Sequence, residues 1–234
     1  MATSGTHLFN MQVDDLLRKA YNRIGVHSPT GYDMREARLS LNLLLHDIAS
    51  RSVFMFATEP AFFFTVAGQK SYVLDVDTTD IQDVTCETNG IDVSMTSWGQ
   101  SDYARIPNKS HPGRPVNYFT DRGRDQTLVY LWPMPDRQYK INYYKIKKPE
   151  DVNAYTETVD LPVKYLPAIV SGLAYTLSDE KFAAAPMEMN AAMRETERMR
   201  RDQLKQRFEE ELNRVIDEDR ERASIFIRPD FRRR

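Results

Sequence analysis

The chain has 234 residues, 41% of them hydrophobic and 28% charged, with a formal net charge of −2. That length suffices for a sizeable core in one compound domain or two small ones, and the near-neutral balance gives no case for strong nucleic-acid binding by bulk charge. The single cysteine, Cys86, allows no internal disulfide framework and fits a reducing compartment; residues 1–9 lack the pattern of a signal peptide, and the apolar stretch 53–66 is broken by Glu59 and Pro60 before it reaches a bilayer-spanning length.

Val13, Leu16, Leu17, Ala20, Tyr21 and Ile24 recur at helical spacing, with Asn10 placed to cap the helix and Gly25 to stop it. Ser28-Pro29 and Gly31 mark a turn, and Asp33 with Glu36 three residues on has the form of a capping box. The helix it predicts carries Met34, Ala37, Leu41, Leu44 and Ile48 on one seam, with Leu39, Leu43 and Leu45 off that seam. A helix with two apolar faces is buried between elements or between subunits.

β signals follow. Residues 62–66 and 72–76 flank Ala67-Gly68-Gln69-Lys70 and read as a hairpin. Residues 84–87 and 91–95 flank Thr88-Asn89-Gly90, and Asn-Gly between alternating runs is the strongest short-range hairpin signal. Residues 97–115 form a polar loop with a short helix at 101–105. Three strand-like runs then follow one another, at 116–120, 127–132 and 138–146, and read as a meander framed by the rest of the chain. In the middle run, Leu128, Tyr130 and Trp132 alternate with Val129 and Leu131, which predicts a central strand covered on both faces. In the last run the apolar phase shifts after Tyr143, which predicts a β-bulge there.

Residues 148–159 read as a polar connection. Helix signals return at Asp160-Leu161-Pro162, with a stripe through Leu166, Ile169, Val170, Leu173, Ala174 and Leu177 and with Pro167 in the first turn or at a kink. Residues 187–222 predict one helix of about 54 Å. Its charges are dense, and a thinner stripe runs through Met189, Met193, Leu204, Phe208, Leu212, Val215 and Ile216. It reads as a solvated amphipathic helix, too long for its own domain to cover, so that part of it projects. Beyond it, Ile225, Phe226, Ile227, Arg228, Phe231, Arg232, Arg233 and Arg234 form an arm. Apolar residues there signal an interaction, with a strand tucked under its own domain as the rival reading.

The expected fold is α+β: a helical domain from residues 1–60 and 160–222, an inserted antiparallel β domain at 61–159, and a C-terminal arm at 223–234. No phosphate-binding glycine loop, zinc-protease motif or nucleophile elbow is present, and His7, His27, His46 and His111 are scattered. No catalytic, cofactor or metal site is expected. Glu59, Asp75, Asp77 and Asp80 come nearest to a carboxylate cluster of glycosidase type, and solvated loop carboxylates have the same appearance. Phe54, Phe56, Phe62, Phe63 and Phe64 read as core rather than as a stacking platform. Cys86 reads as a small packed thiol.

Several motifs follow one another in order: Tyr21-Asn22-Arg23-Ile24-Gly25-Val26, the helix at 37–50, Phe64-Thr65-Val66-Ala67-Gly68-Gln69-Lys70-Ser71-Tyr72, Pro112-Gly113-Arg114-Pro115, Leu131-Trp132-Pro133-Met134-Pro135 and Asp160-Leu161-Pro162. In this succession the chain resembles the head-to-tail adaptors of short-tailed bacteriophages, also called tail accessory, packaged-DNA stabilisation or tail tubular proteins. The resemblance covers residues 13–177 and implies a structural virion protein without enzymatic activity. It implies a homo-oligomeric ring, usually of twelve copies, docked under the portal protein. The ring extends the channel for double-stranded DNA and connects it to the tail nozzle protein, with no membrane partner. The long helix and arm look like the extension by which such adaptors grip the portal. Expected partner-binding residues are therefore Ile225, Phe226, Ile227, Arg228, Phe231, Arg232, Arg233 and Arg234, with Phe208 and Leu212. The protein would be assembled in the host cytoplasm and reside in the virion neck. The competing readings are a virion-associated peptidoglycan hydrolase and a tail-tube or scaffold subunit that does not touch the portal.

Overall fold

The computed structural model describes residues 9–51, 57–124, 126–183 and 191–222. The protein is mixed α+β, with N-terminal helices, central antiparallel sheets and C-terminal helices that pack with the N-terminal ones. The chain divides into two units, Met1–Met55 with Pro149–Arg234, and Phe56–Lys148.

The helical unit contains α1 (Val13–Arg23), α2 (Gly31–Arg51), α4 (Leu166–Ala183) and α5 (Ala191–Arg222). Helix α1 buries Val13, Leu16, Leu17, Ala20 and Tyr21, the stripe its spacing predicts. Asn10 does not cap it; its side chain accepts the Met11 N–H. The first free N–H groups of α1 go instead to backbone, Val13 N–H to the Glu157 carbonyl (2.9 Å) and Asp14 N–H to that of Tyr155 (3.0 Å). At the other end Gly25 adopts φ +82°, and the Val26 N–H returns to the Tyr21 carbonyl, so the expected stop is present.

Helix α2 starts one turn before the predicted cap. Thr30 is the capping residue: its hydroxyl accepts the Asp33 N–H, and the Asp33 carboxylate accepts the Thr30 N–H at 2.8 Å. Both Thr30-x-x-Asp33 and Asp33-x-x-Glu36 have the form of a capping box, and the chain uses the one that directly follows the Ser28-Pro29 turn. These bonds to Thr30 hold the Asp33 carboxyl below its ordinary range. Residues 149–159 lie with the helices. The Asn42 side chain grips the Val152 backbone through both its amide groups, at 2.9 and 3.1 Å, and Gln12 bridges Thr158.

Helix α4 is preceded by a 3-10 turn at Val163–Tyr165, and Pro167 falls in its first turn, where its missing N–H costs nothing. Leu166, Ile169, Val170, Leu173, Ala174 and Leu177 are all buried, and α1, α2 and α5 each pack on α4.

The β unit holds β1 (Thr58–Phe64), β2 (Ser71–Val73), β3 (Thr78–Thr88), β4 (Ile91–Ser94), β5 (Thr96–Ser97), α3 (Gln100–Ala104), β6 (Pro112–Gly113), β7 (Asn117–Arg122), β8 (Thr127–Trp132), β9 (Met134–Pro135) and β10 (Lys140–Lys147). Two four-stranded sheets, ordered β1-β10-β3-β4 and β2-β8-β7-β5, share one core through their inner faces. The Asn89-Gly90 hairpin joins β3 to β4 as the sequence predicts. The hairpin expected between β1 and β2 does not form; β1 pairs with β10 and β2 with β8. The linking loop is a corner between sheets. The Tyr72 hydroxyl accepts the Val66 N–H (3.0 Å) and donates to the Gln69 carbonyl (2.8 Å), while its ring stacks on Phe63 at 4.9 Å across the core.

The expected meander is likewise divided, since β7 and β8 pair but β10 crosses to the other sheet. Val129 and Leu131 of β8 and Ile141 and Tyr143 of β10 each form a complete apolar face, and a two-sheet core buries both faces against each other. The bulge opposite Tyr143 is present, but the extra residue belongs to β3. Between the pairs Asn142↔Thr85 and Tyr144↔Gln82, β3 has one residue more, with Asp83 at φ +47°.

Candidate functional site

Helix α5 is docked along α4 by a series of contacts. Arg201 pairs with Asp179 at 2.8 Å. One level on, the Phe208 ring fills the notch left by Gly172, where a Cβ would lie 2.8 Å from two ring carbons. Next, the buried Ser171 hydroxyl is bonded to the Arg23 guanidinium, to the Glu211 carboxylate and to the Pro167 carbonyl (3.0 Å), linking α1, α4 and α5. Burial pushes the Arg23 guanidinium below its ordinary pKa, and Glu211 works against that shift. Leu212, Val215 and Ile216 then close the seam, all buried.

Phe208 and Leu212 are thus covered within the chain itself. The terminal residues Ile225, Phe226, Ile227, Arg228, Phe231, Arg232, Arg233 and Arg234 lie outside the described residues. The sequence pattern has α5 leading away from the core towards them. Instead, burial continues to Ile216 near the helix's C-terminal end, and the exposed stretch is the first turns, with Met193 and Met199 open to solvent. Dense mixed charge hides this in the sequence; the Phe208, Leu212, Val215, Ile216 spacing marks the docked half.

Among the described residues, large apolar side chains stay exposed on α2 and on β1. On α2, Leu45 turns into the core, but Tyr32, Leu39 and Leu43 face outward, Leu43 at 72% exposure. On β1, Phe63 points inward while Phe62 and Phe64 point out. The sequence places these three in the core together with Phe54 and Phe56, which lie outside the described residues. The period-two alternation between Phe62, Phe63 and Phe64 was the available signal.

The carboxylates near β1 gather round a cation. The Lys145 ammonium lies 2.8 Å from Asp77, 3.6 Å from Asp75 and 4.0 Å from Glu59, while Asp80 pairs with Arg122. Its hydrogen bond to Asp77 raises the Lys145 pKa. Burial works to raise that of Asp77, but Lys145, Thr78 and Lys147 together outweigh it and the carboxyl ends below its ordinary value. A carboxylate fixed in its charged form beside an ammonium is held away from general-acid work. His46 pairs with exposed Asp151 at 3.0 Å, whereas Asp47 binds Arg51. Cys86 is buried, which pushes its thiol pKa up and keeps it from acting as a nucleophile. Among the described residues no His, Cys, Asp and Glu group is arranged to hold a metal ion, and no helix is long and apolar enough to cross a membrane.

The SU10 adaptor protein family model matches residues 11–232. The chain belongs to the SU10 adaptor protein family. This is a phage adaptor family with a structural role, joining other virion components. No match to the chain is found among the curated proteins. For an SU10 adaptor protein, surfaces that meet other virion components are the expected functional site, and exposed apolar side chains such as those of α2 and β1 are of the kind such contacts use. The match continues past α5, so the long helix and most of the terminal segment, where individual motifs carry no resemblance, are part of the same family pattern.

Proposed function

We propose that the protein is a head-to-tail adaptor. It assembles as a ring of twelve copies, docks under the portal, extends the DNA channel and connects it to the tail nozzle. The observation that carries this reading is the family match over residues 11–232. A ring needs one patch that meets a different patch on the next copy, and the outward Tyr32, Leu39 and Leu43 of α2 supply one. A net charge of −2 suits a channel through which DNA slides without sequence-specific binding. The terminal residues Ile225, Phe226, Ile227, Arg228, Phe231, Arg232, Arg233 and Arg234 serve as the grip on the portal or an adjoining adaptor, and Phe208 and Leu212 anchor the helix that leads to them. The protein acts in the virion neck after assembly in the host cytoplasm, and it performs no catalysis.

Electron microscopy of the purified protein, alone and mixed with its portal, tests the reading. A ring added beneath the portal is expected; a protein that never joins the portal overturns it. Deleting residues 225–234 should leave the circular dichroism spectrum unchanged and weaken attachment to the portal. Unfolding of the truncated chain, or undiminished attachment, refutes the role given to the segment. Sustained peptidoglycan clearing that is lost on Asp77→Asn would show an enzyme instead.

A further inference from the structure

The two outer faces of the β unit differ in cover. Over the β2-β8-β7-β5 sheet, Tyr103 of α3 stacks on Phe119 (5.4 Å) and lies against Tyr130 (5.3 Å), and Trp98 packs on Trp132 (5.3 Å). The outer face of the β1-β10-β3-β4 sheet has no such layer among the described residues. Phe62 is 57% and Phe64 53% exposed, edge to face at 5.7 Å, and the register sets Pro60 beside Tyr144, itself 46% exposed. Beyond this apolar strip the same face carries the carboxylates of Asp92 and Glu87 and one ammonium, that of Lys140, which also lies 5.1 Å from the centre of the Phe62 ring. Thr85 and Asn142 both donate to the Asp92 carboxylate, and Glu87 pairs with Lys140 at 3.3 Å.

The position of β1 at the end of its sheet among the described strands limits how a partner is recognised. The Thr65 N–H bonds the Tyr139 carbonyl, so by alternation the odd residues of β1 direct their N–H groups to β10 and the even ones to the side away from β10. Pro60 is among the even ones and has no N–H, so a strand added at this edge would lose a ladder bond in its middle. The face is therefore built to receive side chains.

One segment of the chain matches this chemistry. Residues 225–234 combine Ile225, Phe226, Ile227 and Phe231 with Arg228, Arg232, Arg233 and Arg234, against the single acid Asp230. We propose that residues 225–234 of a second copy lie across this face, their apolar side chains on Phe62, Phe64 and Tyr144 and their arginines towards Asp92 and Glu87. This rests on the adaptor reading, in which the terminal segment grips a neighbour, and it names the neighbour's surface. Aromatic side chains anchor such contacts, and the charges fix register more than affinity.

The test uses two full-length variants, Phe64→Cys and Phe231→Cys, mixed under mild oxidation; the native Cys86 is buried and stays out of the reaction. A disulfide joining the two variants is expected, at least tenfold above a pair in which Ser101→Cys on α3 replaces Phe64→Cys. Excess synthetic peptide of residues 224–234 should suppress it, and so should Asp92→Lys on the Phe64→Cys chain. A yield no higher than the Ser101 control, or one unaffected by the peptide, overturns the proposal. Wild-type protein should also bind the labelled peptide at least tenfold more tightly than Phe62→Ser does, and equal binding overturns the proposal independently. Attachment to portals is scored separately. Chains that join the portal without this cross-link refute the face alone, and chains that cross-link without joining the portal refute the adaptor reading alone.

Discussion

At Gly172 three helices meet within the width of one methyl group. A Cβ there would sit 2.8 Å from the Phe208 ring and 3.1 Å from Leu44 Cδ1. Alanine gains about 1 kcal/mol over glycine in helix propensity. Overpacking a filled core costs about 1–3 kcal/mol, and the buried Phe208 ring, with the Arg51 guanidinium 5.4 Å above it, has little room to yield. Gly172→Ala should therefore lower the denaturation midpoint; an equal or higher midpoint would show that α5 shifts freely. Tyr21 supplies a pH signature. Its buried hydroxyl donates to the Asp33 carbonyl at 2.8 Å, and burial first, then the charges of Asp33, Glu180 and Glu36, push its pKa up from 10.0 to about 12. The folded state thus prefers the neutral phenol. That preference is fully present below pH 10.0, the unfolded value, and is lost as pH rises towards about 12. In alkaline melts Tyr21→Phe should start about 1 kcal/mol less stable, for the lost hydrogen bond, and then fall less steeply across this window. Parallel slopes for the two proteins would refute the assignment.

Among the elements, α5 sets the Phe208 ring into the Gly172 notch of α4 as one of its docking contacts. Phe208→Ala should cost about 3–5 kcal/mol. Hydrogen exchange should quicken in residues 200–216 while the β3 and β10 amides keep their protection; uniform loss in both regions would contradict this. The helices were legible in the sequence where a single stripe carries the burial, as in α1 and α4, because helical periodicity is local. The α2 start was ambiguous because two overlapping quartets fit the same cap. Strands were found but their partners were not: pairing β1 with β10 joins residues about eighty positions apart, and nothing local in Phe62–Phe64 distinguishes that partner from β2. The bulge was visible as a phase change in β10, yet the residue that causes it, Asp83, lies in β3 and carries no signal of its own. The exposed side of β1 was not legible, since three consecutive phenylalanines read as core until the strand's two sides are separated.

In the ring proposed above, α2 is the surface to test first. Its inner side is committed within the chain: Met34, Ala37, Leu41, Leu44, Leu45 and Ile48 are buried, and Ser40 reaches across to Glu180 of α4 at 2.8 Å. Its outer side keeps Tyr32, Leu39 and Leu43 in water, with 48% of Leu39 exposed. Such a stripe contributes little to the isolated fold, so placing charge on it leaves the monomer's stability within about 0.5 kcal/mol. In a ring the balance reverses. Each leucine buried between copies contributes roughly 1.5–3 kcal/mol, and the same contact recurs at every joint. Putting a carboxylate into an apolar joint also adds the cost of desolvating it. The double variant Leu39→Glu, Leu43→Glu should therefore keep its melting temperature and circular dichroism spectrum, yet sediment as a monomer at concentrations where the wild type forms rings. Because closure couples all the joints, the loss should be abrupt, with few partial rings in native mass spectra. If the variant still assembles with the portal as the wild type does, then the outer side of α2 faces solvent in the ring, and the subunit joint has to be sought elsewhere, first at the exposed opening turns of α5.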